Sequence, residues 1–97
     1  MSTDLETKTK VKTKKPQQYV VVLHNDDFTP RSYVVEILRK FFTADETMAA
    51  KIMLTAHIEG KAACMMTTRE IAETKVEAVT NYISESTYPL IFTYEPS

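Results

Sequence analysis

The chain is 97 residues long, 43% apolar and 26% charged, with a formal net charge of −1, a composition that fits one globular domain with a single modest core. Its lone cysteine, Cys64, rules out an internal disulfide, and the charged opening MSTDLETKTK argues against a secretory signal. No apolar run nears the ~18 to 20 residues of a membrane span, so a soluble protein of a reducing, cytoplasmic compartment is expected.

Charge divides the sequence. Residues 1–18 carry five lysines (Lys8, Lys10, Lys12, Lys14, Lys15) against Asp4 and Glu6, whereas the remainder carries seven basic and eleven acidic side chains. Leu5 and Val11 are almost alone there as buriable side chains, and the Thr-Lys alternation repels itself. Residues 1–18 therefore read as a disordered basic tail and 19–97 as the folded body. A nucleic-acid arm is the sharper reading of such a tail, but no aromatic side chain is interleaved with the lysines, and nucleic acid is not the expected partner.

Tyr19-Val20-Val21-Val22-Leu23-His24 is dense in β-branched residues and reads as a strand buried on both faces. Asn25-Asp26-Asp27 ends it, because Asn and Asp side chains bond the nearby backbone and favour turns. Thr29-Pro30 then signals a helix start, with Thr29 as cap and proline at the first helical position. Val34, Ile37, Leu38 and Phe41 supply the apolar stripe of that helix. Thr43 and Glu46 fit a capping box for a second helix, whose stripe is Ala49, Ile52, Met53 and Ala56, with His57 on the same face as Met53. Gly60, the only glycine, is placed to end it in the left-handed conformation.

Lys61 to Met66 reads as a second strand. Thr67 or Thr68 caps a third helix with Glu70 in its first turn and Ala72, Val76, Val79 and Ile83 on its buried side. Pro89 closes the following loop, and Leu90 to Tyr94 is a last strand. The order β-α-α-β-α-β predicts an α+β sandwich: a three-stranded, largely antiparallel sheet with three helices on one face.

Two places could carry chemistry. Asn25, Asp26 and Asp27 set three oxygen-bearing side chains at a strand end. Taken alone they read first as an Asx-type turn, and second as clustered acceptors for the three donors of an ammonium group. His57 reads first as a structural residue favoured by the helix dipole, although a polar ring beside the adaptable Met53 is also what a small pocket needs. A metal site built from His24, Asp26, Asp27 and His57 lacks any known ligand spacing. No GxSxG and no glycine-rich phosphate loop is present. No metal or other cofactor is expected, and binding, not catalysis, is the default.

From Tyr19 onward the chain resembles the ClpS adaptor family, through Asn25-Asp26-Asp27-Phe28-Thr29-Pro30, Tyr33-Val34-Val35, Lys40-Phe41-Phe42, Met53-Leu54 with Ala56-His57, Gly60-Lys61-Ala62 and Ala72-Glu73-Thr74-Lys75-Val76. The resemblance implies a non-enzymatic adaptor that delivers N-end-rule substrates to the AAA+ unfoldases ClpA or ClpC. It implies that Asn25, Asp26 and His57 hold the substrate's α-amino group and that Asp27 supports the rim or the peptide backbone. Thr29, Arg31, Val34, Met53, Ala56 and Leu90 would form the side-chain pocket. The implied ligands begin with Leu, Phe, Tyr or Trp, and Glu70 and Lys75 match positions that face the unfoldase's N-terminal domain. A monomer suffices for such a role.

For His57 to accept from an amine, one ring nitrogen must be unprotonated, so acidification is expected to weaken capture. Arg31 departs from the family, many of whose members place a pocket-gating methionine there. A guanidinium is not a simple apolar wall, although its stem can cover apolar surface, and an altered tolerance among the four first residues is expected. The alternatives are a small RNA- or ribosome-contacting domain anchored by the basic tail, and a minimal metal-assisted hydrolase. The acidic body opposes the former and the missing ligand spacing the latter.

Overall fold

The run of β-branched side chains predicted to be a strand forms β1 (Tyr19–His24), the central strand of the sheet in a computed structural model that describes residues 17–97. The tail expected over residues 1–18 lies outside the described residues except for Gln17 and Gln18, and Gln18 accepts through its carbonyl from the Ser97 N–H at 3.0 Å. Five elements follow: α1 (Arg31–Phe42), α2 (Glu46–Glu59), β2 (Lys61–Thr67), α3 (Arg69–Ile83) and β3 (Ile91–Pro96). The sheet order is β2-β1-β3 and both pairings are antiparallel. This is the expected α+β arrangement. Among the described residues no helix is long and apolar enough to cross a membrane.

Strand alternation decides which side of β1 meets the helices. Val21 and Leu23 join Ile37 and Leu38 of α1, Val79 of α3 and Phe92 of β3 in one buried cluster, and each large side chain contributes about 1.5 to 3 kcal/mol by leaving water. Ala49 and Ala56 of α2 and Ala72 of α3 are buried in the same cluster, small residues that let α2 approach α1 and β2 closely and α3 approach the sheet. Val22 is also buried but stays outside it, on the opposite face beside Ala63 and Thr93. Burial on both faces therefore holds in the middle of β1, while Val20 and His24 are half-buried. Aromatic pairs brace α1, with Phe42 stacked on Phe92 at 5.5 Å between ring centroids and Phe41 edge-on to Tyr82 at 5.3 Å.

Three local expectations are corrected. Thr29 does not cap α1: Pro30 occupies the cap position with no side-chain hydrogen bond, because the Thr29 hydroxyl is turned back to Asp26. The capping box at Thr43 and Glu46 does not form. Thr43 ends α1 in the left-handed region at φ 52°, and Asp45 caps α2 by accepting from the Met48 N–H at 2.8 Å. With so short a connection, Thr43 cannot end one helix and start the next. The last strand starts at Ile91 instead of Leu90 and runs on to Pro96. Of the two threonines offered for α3, Thr68 is the cap. Gly60 takes the left-handed position at φ 94° after α2, as expected.

Cys64 falls where the β1–β2 register slips between Val21 and Val22, so that Val21 faces Met65 and Val22 faces Ala63. The extra residue of this bulge packs toward the core, and burial pushes its thiol up to about 12.

Two predictions follow from these local features. Asp45→Ala should destabilise the fold by about 0.5 to 2 kcal/mol through loss of the cap, while Thr43→Gly should be neutral or stabilising by up to ~1 kcal/mol, since glycine carries no left-handed penalty. Urea midpoints moving in the same direction by the same amount would refute this assignment of caps. Because only a thiolate alkylates readily, native Cys64 should resist iodoacetamide at pH 8 to 9 and react promptly once the chain is unfolded. Equal rates in both states, followed by mass spectrometry, would contradict the buried bulge.

Candidate functional site

The single glycine sets the frame of the site. Its positive φ lets the chain reverse after α2, with the Gly60 N–H donating to the Ala56 carbonyl at 2.8 Å, while the Gly60 carbonyl accepts from the Asn25 N–H at 2.9 Å. A Cβ at Gly60 would meet nothing within 4 Å, so the requirement is conformational and not one of space. This joint brings the end of β1 against the last turn of α2, where His57 lies.

Beyond Asn25 the chain is shaped by Asp26. One carboxylate oxygen accepts from the Phe28 and Thr29 N–H groups at 2.8 and 2.7 Å, and the other from the Thr29 hydroxyl at 2.8 Å. The Asx-type turn read from the sequence is thus present, and it fixes the approach to α1 in place of a helix cap. The side chains of Asn25 and Asp27 make no hydrogen bond to the other described residues, and both are exposed.

Every residue that the resemblance assigned to amine, rim or pocket lines one cavity of about 180 Å³. Its floor is apolar: Val34 from α1, Ala56 from α2 and Leu90 just before β3 are buried, and Met53 is half-buried. Asn25, Asp27, Arg31 and His57 stand exposed at the mouth, with Asp26 and Thr29 half-buried below them. A dry cavity of roughly 150 Å³ suffices for a benzene ring, so the floor has room for one bulky side chain. Two lining residues were not expected in this role. Leu23 supplies floor from β1, and His24 supplies wall while its Nε2 lies 2.7 Å from the Thr93 hydroxyl. Strand alternation carries the signal for Leu23, which faces the helices; His24 was weighed only as a metal ligand.

At the mouth, Arg31 Nη2 lies 3.0 Å from His57 Nε2. A guanidinium has no acceptor, so Nε2 must present its lone pair and the ring hydrogen must sit on Nδ1. The histidine is therefore held as an acceptor toward the cavity mouth, in the tautomer that a donor ligand needs.

Glu70 and Lys75 lie elsewhere. They border a shallow depression between α1 and α3 with Phe41, Ile71, Thr74 and Ala78, and Lys75 Nζ is 5.9 Å from the Phe42 ring centre. Ile71, half exposed, adds a large apolar side chain to that surface beside Phe41.

Residues 14–93 match the family described as ATP-dependent Clp protease adaptor protein ClpS. The ATP-dependent Clp protease adapter protein ClpS of Vibrio atlanticus (strain LGP32) is 51% identical over 92 residues, covering 95% of this chain and 87% of the relative. That of Escherichia fergusonii is 47% identical over 90 residues, covering 93% and 85%. Among solved structures, Agrobacterium tumefaciens ClpS2 bound to L-phenylalaninamide superposes with a TM-score of 0.82 at 41% identity, covering 86% of this chain and 100% of that one.

The hydrogen bonds of Asp26 make it the organiser of its own loop. Asp26→Ala leaves two backbone N–H groups and a hydroxyl without their acceptor and should cost about 1 to 3 kcal/mol. Asp26→Asn keeps one oxygen for the N–H pair and should cost less. Amide hydrogen exchange at Phe28 and Thr29 should accelerate in the alanine variant, and unchanged exchange there would count against Asp26 as the organiser of the loop.

Proposed function

We propose what this chain does from the premise that it belongs to the ClpS family of ATP-dependent Clp protease adaptors: it captures proteins by a free N-terminus and hands them to a Clp unfoldase. It is an adaptor and not a catalyst. The observation that carries the reading is a cavity of about 180 Å³ with an apolar floor and hydrogen-bond acceptors grouped at its mouth. L-phenylalaninamide, bound by the Agrobacterium relative, is a phenylalanine with a free α-amine and a blocked carboxyl, which is the chemistry of a chain's first residue.

In this reading the first side chain enters over Val34, Met53, Ala56 and Leu90. The α-ammonium donates to Asn25 and His57, with Asp26 behind them as the fixed negative charge. Three of the acceptor positions of the Asp26 carboxylate are already occupied within the loop, so its part is mainly electrostatic, and Asn25 and His57 make the direct contacts. Asp27 supports the rim, and Thr29 and Arg31 close the pocket edge. The ligands are proteins beginning with Leu, Phe, Tyr or Trp. Residues 19–97 act as the binding domain, monomeric and cytoplasmic. Glu70 and Lys75 dock on the N-terminal domain of ClpA or ClpC, and the basic residues 1–18 engage the unfoldase during hand-over.

Burial of the first side chain contributes about 1.5 to 3 kcal/mol, and each charge-assisted hydrogen bond to the amine about 1.5 to 3 kcal/mol. Neither alone makes a strong complex, so the site selects for both together. A labelled peptide beginning with Phe should therefore bind at least about 100-fold more tightly than its N-acetylated twin, measured by fluorescence anisotropy. His57→Ala should weaken it about tenfold or more, through loss of one charge-assisted hydrogen bond. Equal binding of the free and acetylated peptides would refute the reading.

A further inference from the structure

From the Arg31–His57 contact we infer that Arg31 reads the second residue of the bound chain and favours an acidic one there. The inference rests on the proposed capture of an N-terminus. The guanidinium donates to His57 Nε2 at 3.0 Å, the acceptor assigned to the incoming amine. One lone pair cannot serve both donors well, so the ligand's ammonium displaces Arg31. The displaced guanidinium keeps five N–H donors and a full charge at an exposed cavity mouth, still tethered beside the amine.

Backbone dimensions then say what it meets. The first Cα lies about 1.5 Å from the amine nitrogen, and the second Cα about 3.8 Å further along. The second side chain therefore leaves the peptide within roughly 5 Å of the amine, next to the atom that Arg31 has just released. A carboxylate there accepts from the guanidinium in bidentate fashion, whereas an amide accepts singly and an ammonium is repelled. Asp26 and Asp27 are the opposing charges on this side. The Asp26 carboxylate is turned into its own loop by its three donors, but Asp27 is exposed on the same rim and pulls toward a basic second residue. Arg31 is what offsets it.

The test compares peptides beginning Phe-Glu, Phe-Gln and Phe-Lys, otherwise identical, on the wild-type chain, Arg31→Met and Arg31→Lys. The quantity read is the ratio of Glu to Gln affinity within each protein. An exposed ion pair of this kind is worth about a two- to fivefold change. In the wild type Phe-Glu should bind at least as well as Phe-Gln and better than Phe-Lys. Arg31→Met should lower the Glu-to-Gln ratio about two- to fivefold and favour Phe-Lys, through Asp27. Arg31→Lys should keep part of the preference, and added salt should shrink it. A Glu-to-Gln ratio unchanged in Arg31→Met would overturn the inference while leaving N-terminal capture standing. If no peptide with a free N-terminal Phe binds the wild type, both fall.

Discussion

The hydrogen bond from the Asn25 N–H to the Gly60 carbonyl, 2.9 Å long, is the joint on which the site depends. Residues 25–31 and residues 53–57 are separated by the rest of α1 and the first half of α2, and nothing local in the sequence brings them together. What does so is the central position of β1, which lets β2 return alongside it directly after α2. A left-handed residue at Gly60 makes that return tight enough for its carbonyl to reach Asn25. A side chain at this position would find open space but would strain the backbone. The chain's one glycine thus has a conformational duty whose result is felt several residues away, at Asn25 and His57.

The cavity is continuous with the hydrophobic core. Val34 and Leu90 line the pocket and belong to the same buried cluster as Val21, Ile37 and Val79. The floor is therefore as fixed as the fold, and little ordering is needed before a side chain can enter, which is how a small interface keeps its affinity. The polar mouth is built differently. Asp26 fixes the loop through three accepted hydrogen bonds, leaving Asn25 and Asp27 exposed, and His57 is held as an acceptor by Arg31.

Much of this was legible in the residues, and the limit has a physical cause. The stripes Val34-Ile37-Leu38-Phe41 and Ala72-Val76-Val79-Ile83 mark core-facing sides because one side of each helix must leave water; Phe41 and Val76 are half-buried against the core and the others are buried. Gly60 was legible because few residues tolerate its φ. The caps at Thr29 and Thr43 misled because several oxygen-bearing side chains stand close before each helix start, and tertiary geometry selects among them. Asp26 took the Thr29 hydroxyl, and Asp45 took the cap of α2. The ring of pocket residues could be named only through the family pattern, since a pocket joining β1, α1, α2 and the approach to β3 has no local sequence signature. The Arg31–His57 contact lay beyond both routes, because it requires the geometry of two elements at once.

In the proposed role cargo and receiver are held at the same time, and α1 runs between the two surfaces assigned to them. Arg31 and Val34, at the N-terminal end, face the cavity, while Phe41, near the C-terminal end, borders the depression shared with Glu70 and Lys75. At 1.5 Å of rise per residue, Arg31 and Phe41 lie about 15 Å apart along the helix, and the two surfaces share no residue. Occupying one does not cover the other. Phe42, buttressed by Phe92 at 5.5 Å, ties the far end of α1 to β3, whose approach supplies Leu90 to the pocket floor. The spacing between the cavity and the depression is therefore set by a packed helix and not by a loop; in the proposed role, a bound N-terminus would be presented at a fixed distance from Glu70 and Lys75.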